Sequence, residues 1–101
     1  MGATDFTHIE AGANVEQAFH AAREAALHEH GHGGYTGTIA EKDDYVTFPD
    51  VRTVADRAYE RADQLLDADQ RISDKRGPAG ALPIILDDGQ AGWLFFGWAA
   101  S

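Results

Sequence analysis

The chain has 101 residues, 17 of them acidic and eight basic, for a formal charge of −9, and it has no cysteine. That length suits one domain with a single modest core. Disulfides and thiolate metal sites are excluded, no apolar run approaches the ~18 residues of a membrane span, and a net negative surface that repels phosphate backbones argues against general nucleic-acid binding.

The elements follow from the hydrophobic pattern. Residues 1–12 alternate around Asp5-Phe6-Thr7-His8-Ile9-Glu10, with Phe6 and His8 on one side and Thr7 and Ile9 on the other. This predicts a short edge strand or an extended arm. Asn14 stands as a helix N-cap, with Gln17 in the capping-box position. Val15, Ala18, Phe19, Ala22, Ala25 and Ala26 then recur at helical spacing. The glycines at 31, 33 and 34 end that helix near Glu29 or His30.

Tyr35 to Ala40 is rich in Thr, Tyr and Ile and reads as a strand. Glu41 to Asp44 makes a turn, and Tyr45 to Phe48 reads as the returning strand of a hairpin, stopped by Pro49. Asp50 is placed to cap a second helix, with Val51, Val54, Ala55, Ala58, Ala62, Leu65 and Leu66 as its apolar stripe. That helix frays around Asp67 to Arg71. Asp74 to Gly80 is a loop by composition. Ala81 to Leu86 reads as a strand in which Pro83 implies an edge or a bulge. After a turn at Asp87-Asp88-Gly89-Gln90, Trp93 to Ala99 is a strand apolar on both faces, the mark of burial on both sides. The expected fold is α+β over residues 1–101, with two helices packed on a small, mostly antiparallel sheet of four to five strands.

Four constellations bear on chemistry. On the first helix Glu16, His20, Glu24 and His28 form one stripe. Glu24, His28, His30 and His32 are candidate metal ligands, because imidazole and carboxylate suit zinc, nickel or iron; the bland alternative is a solvated face whose histidines complement the helix dipole. The glycine-rich stretch before Tyr35 follows a helix and precedes a strand, the reverse of a phosphate loop. In so acidic a chain, the basic group Arg71, Lys75 and Arg76 beside Gly77 and Gly80 is the natural place for an anionic ligand. Lys42 would join it, with Tyr35, Thr36 and Thr38 supplying hydroxyls and an aromatic face; here the alternative is a solvated loop paired with Asp69 and Asp74. Finally, the aromatic last strand, with tryptophans on opposite faces, is either core on both sides or leaves one face for a subunit interface, which would make a homo-oligomer through Trp93 to Trp98.

Three segments resemble a known group: Gly33 to Lys42 (GGYTGTIAEK), the Gly77-Pro78-Ala79-Gly80-Ala81 loop, and Gly92 to Ala99 (GWLFFGWA). Together they are similar to small uncharacterised accessory proteins of tailed viruses and prophages. Where that pattern has an aromatic residue between Lys75 and Gly77, this chain has Arg76. The resemblance implies a viral or mobile-element accessory protein, in the host cytoplasm or in the virion, and carries no catalytic assignment. With only two lysines, Lys42 and Lys75, the acidity fits a high-salt host, docking of a basic partner including mimicry of DNA, or simply a solvated surface.

The functional expectation is a non-enzymatic protein that binds either a small anionic ligand or a host protein, in a role that counters host defence. The ligand version uses Tyr35, Thr36, Thr38, Lys42, Lys75 and Arg76. The protein version uses Asp56, Glu60, Asp63 and Asp67 on the second helix. The alternatives are a small metal-dependent hydrolase built on the His/Glu cluster and a minor virion component.

Overall fold

The computed structural model describes residues 3–30, 38–48 and 50–100, the His30 side chain excepted. Two helices pack on a five-stranded mixed sheet, mostly antiparallel, as the pattern predicts. Strand β1 (Ala3–Ala11) lies at one edge, antiparallel to β5 (Ala91–Ala100), which is antiparallel to β4 (Ala79–Ile85). Beyond β4 run two short segments parallel to it, β2 (Tyr45–Thr47) and β3 (Thr53–Val54).

β5 is central and carries the whole arrangement. Its odd residues Trp93, Phe95 and Ala99 face helix α1 (Val15–His30); its even residues Leu94, Phe96 and Trp98 face helix α2 (Ala55–Ala68). The sheet therefore divides the core into two layers, where one was expected. In the first, Ala18, Phe19, Ala22 and Ala26 lie on Ala79, Ala81 and Phe95. The small alanines let the helix approach closely, and Phe19 packs edge-on against Phe95 with centroids 5.6 Å apart. In the second, Ala58, Ala62, Leu65 and Leu66 close over Leu82, Ile84, Leu94 and Phe96. Each fully buried leucine or phenylalanine stabilises by about 1.5–3 kcal/mol.

The two tryptophans tie one helix to each face. Trp93 Nε1 donates to the Ala13 carbonyl at 3.1 Å, just before α1, and Trp98 Nε1 donates to the Leu66 carbonyl at 3.2 Å, in the last turn of α2. Carbonyls at a helix C-terminus lack intrahelical partners, so the second bond satisfies one of them. Both faces of β5 are thus covered within the chain, and its burial needs no second copy.

Local signals hold at α1. Asn14 Oδ1 accepts the Gln17 amide at 3.0 Å, which is the predicted cap. Elsewhere the fold departs from the local pattern. Residues 35–37 lie outside the described residues, but Ile39–Glu41 is a 3-10 turn, capped by Thr38 Oγ1, which accepts from the Ala40 amide. The turn drives Ile39, 1% exposed, into the core beside α1. Among the described residues no hairpin forms here: Tyr45–Thr47 pairs in parallel with β4 across the α2 crossover.

The second helix begins at Ala55, four residues after Val51. Thr53 and Val54 are β-branched and join β4, while Arg52 NH1 donates to the carbonyls of Ile84 and Gly92 at 2.8 and 2.7 Å. Asp50 does not cap the helix; its carboxylate accepts from Arg61 Nε at 3.0 Å. Val51, 87% exposed, and Val54 leave the apolar stripe. Finally, β4 starts at Ala79 and is not a sheet edge. Pro83 is accommodated because the strand beyond β4 is interrupted between Thr47 and Thr53, where a missing N–H breaks no ladder bond.

Candidate functional site

The basic group of the sequence folds into a structural device. Lys42 is 1% exposed, and its Nζ donates to the carbonyls of Lys75 at 3.0 Å and Gly77 at 2.8 Å. Its ammonium stands 6.0 Å from the Phe6 ring centroid. Burial holds it below the ordinary lysine value, while Glu41 and Asp74 pull it back up. Lys42 therefore spends its donors inward, fixing the loop that leads into β4. That loop also closes on itself: Asp74 Oδ1 accepts from the Arg76 amide and the Asp74 carbonyl from the Gly77 amide.

Arg71 is likewise engaged. It forms a two-pronged pair with Asp69, Nε to Oδ1 at 3.1 Å and NH2 to Oδ2 at 2.8 Å, and stacks over Phe48 with its guanidinium carbon 5.1 Å from the ring. These hydrogen bonds hold the Asp69 carboxyl below the usual range and the Arg71 guanidinium above it.

Of the other predicted ligand residues, Arg76 and Thr38 line separate clefts. Arg76 is exposed and lines a cleft of about 210 Å³ with Glu41, Asp43, Asp44, Gly77 and Pro78. Three carboxylates beside one guanidinium make that cleft unfavourable for an anion. Thr38 lines a different cleft of about 190 Å³, with Phe6, Thr7, His8, Ala26, Glu29 and Ile39. Tyr35 and Thr36 lie outside the described residues.

Of the candidate metal ligands, Glu24 and His28 are exposed one turn apart on α1, and the His30 side chain and His32 lie outside the described residues. Among the described residues no group of three metal-ligating side chains comes together.

Three polar groups were not singled out in the sequence. His8 and Glu10 sit two apart on the α1 side of β1, with Nε2 and Oε1 3.1 Å apart. The strand alternation that pairs Phe6 with His8 is the signal that would have found them. Arg23 Nε is buried without a hydrogen-bond partner, its NH2 3.8 Å from Asp43. Tyr45 packs 4.8 Å from Phe19; burial first, then Glu16 and Asp44, push its phenol up.

The outer face of α2 is a continuous polar surface. At about 3.6 residues per turn, Asp56, Glu60, Asp63 and Asp67 fall within a narrow stripe, opposite the buried Ala58, Ala62, Leu65 and Leu66. All four are exposed, and none is in an ion pair among the described residues. Arg57 and Arg61 lie to one side, and half-exposed Tyr59 to the other.

Comparison of the chain with family models, with curated proteins and with solved structures finds no match. Among the described residues no helix is long and apolar enough to cross a membrane.

Proposed function

We propose that the protein is a non-enzymatic binding protein that docks a basic protein surface through the acidic face of α2. The observation that carries this reading is the stripe Asp56, Glu60, Asp63 and Asp67, exposed along one side of a helix that the core holds rigidly from the other. A row of fixed, unpaired carboxylates steers a basic partner into encounter and sets its register. The segments resembling viral accessory proteins support a role on a host protein. The anionic-ligand reading loses ground on electrostatics, because Lys42 and Arg71 are spent on internal contacts and Arg76 sits among carboxylates.

The test is a titration against a Lys/Arg-rich peptide, read by fluorescence anisotropy at two ionic strengths. Neutralising the stripe with Asp56→Asn, Glu60→Gln, Asp63→Asn and Asp67→Asn is expected to weaken binding at least about tenfold and to flatten its salt dependence. The control removes the same charge elsewhere with Glu24→Gln, Asp43→Asn, Asp87→Asn and Asp88→Asn. Equal losses in the two variants would reduce the effect to overall acidity and overturn the assignment to α2.

A further inference from the structure

β1 is the outermost strand, and its pairing with β5 runs without a bulge from Ala3 opposite Ala100 to Ala11 opposite Gly92. In an antiparallel ladder successive residues turn their N–H and C=O alternately toward and away from the neighbour. Two bonds fix the phase. The Gly12 amide donates to the Ala91 carbonyl, and the Ala100 amide turns away from β1 to Glu41 Oε1. The even residues of β1 thus bond β5, and Ala3, Asp5, Thr7, Ile9 and Ala11 direct their backbone groups outward.

Among the described residues this edge carries one internal contact, a 3.5 Å hydrogen bond from the Thr4 hydroxyl to the Asp5 carbonyl. The side chains of the outward residues are exposed as well, because α2 does not reach over β1. Edges of this length are usually blunted by proline, charged side chains, a bulge or a covering element. This one has no proline, lysine or bulge, and Asp5 is the one charged residue among those that direct their backbone outward.

We propose that two copies of the chain pair antiparallel through the outer edge of β1, about a two-fold axis at Thr7. Thr7 is the midpoint of the nine-residue strand, so this register pairs Ala3–Ala11 with itself in full. It sets Thr7 against Thr7, Asp5 against Ile9, Phe6 against His8 and Thr4 against Glu10. No carboxylate faces another, and the central Thr–Thr pair is a favourable cross-strand neighbour. Moving the axis to His8 brings the two imidazoles face to face and leaves the start of the strand unpaired. Ile9, 36% exposed in the single chain, is then flanked by a second strand. Each copy carries a formal charge of −9, so association works against repulsion and tightens as salt screens it.

The experiment is sedimentation velocity of the full chain over a concentration series at low and high salt, with hydrogen exchange of the β1 amides. The expected result is a dimer that tightens with salt, and concentration-dependent protection at Asp5, Thr7 and Ile9. Thr7→Pro removes an outward N–H and leaves the β5 ladder intact; Thr7→Lys places a charge at the axis without a backbone constraint. Either folded variant is expected to be monomeric. A parent that stays monomeric at every salt overturns the proposal, as do variants that still dimerise, larger assemblies, or amides protected in the monomer.

Discussion

By composition Gly80 belongs to a loop beside a basic group, yet its absent side chain answers to packing against Phe96. A Cβ built there would stand 2.4 Å from Phe96 Cζ and 2.8 Å from both Cε atoms. Carbon atoms in contact prefer roughly 3.5–4.0 Å, so the ring would have to retreat by about 1 Å or more. It has nowhere to go, because Phe96 is fully buried and stacked on Phe48 with centroids 5.9 Å apart. Overpacking of this kind costs about 1–3 kcal/mol, and the short contact places Gly80→Ala at the upper end. For a domain of this size, about 3 kcal/mol lowers the melting temperature by roughly 12–24 °C. The assay is urea and thermal unfolding followed by circular dichroism, on Gly80→Ala, Phe96→Leu and the double variant. In the Phe96→Leu background, where the ring is gone, Gly80→Ala should cost under about 1 kcal/mol. A single variant that melts within a few degrees of the parent, or an equal cost in both backgrounds, refutes the reasoning.

Two further outcomes follow from named contacts. Asn14→Ala removes the acceptor of the Gln17 amide and should destabilise by about 1 kcal/mol in urea unfolding; a neutral result would mean that water caps α1 equally well. Lys42 has a folded pKa below its ordinary 10.5, so between those values the folded state has released a proton that the unfolded state still holds. Stability contributed at this position therefore rises with pH through that window. The stability of the parent minus that of Lys42→Met, measured by urea unfolding from neutral pH to about pH 10.5, should increase; a flat or falling difference removes the buried-ammonium account.

Several features were legible because they depend on near neighbours. The Asn14 cap, the stripe Ala58-Ala62-Leu65-Leu66 and the two apolar faces of β5 are written at intervals of two to four residues, the periods of a strand and a helix. The acidic stripe of α2 is legible for the same reason. Lys42 marks the limit of such reading. A lysine in a turn among acids looks like a solvent-facing cation, and only the fold brings the carbonyls of Lys75 and Gly77 to its ammonium.

By itself, then, the sequence determined two amphipathic helices, a doubly buried aromatic strand, and an acidic surface with few lysines. Tertiary structure alone decided that Tyr45–Thr47 pairs in parallel with β4, that Thr53–Val54 is strand and not helix, and that Lys42 turns inward while Arg76 and Thr38 line separate clefts. Strand pairing and burial depend on segments tens of residues apart. There the winning arrangement is the one that covers both faces of β5, and no local period records that choice.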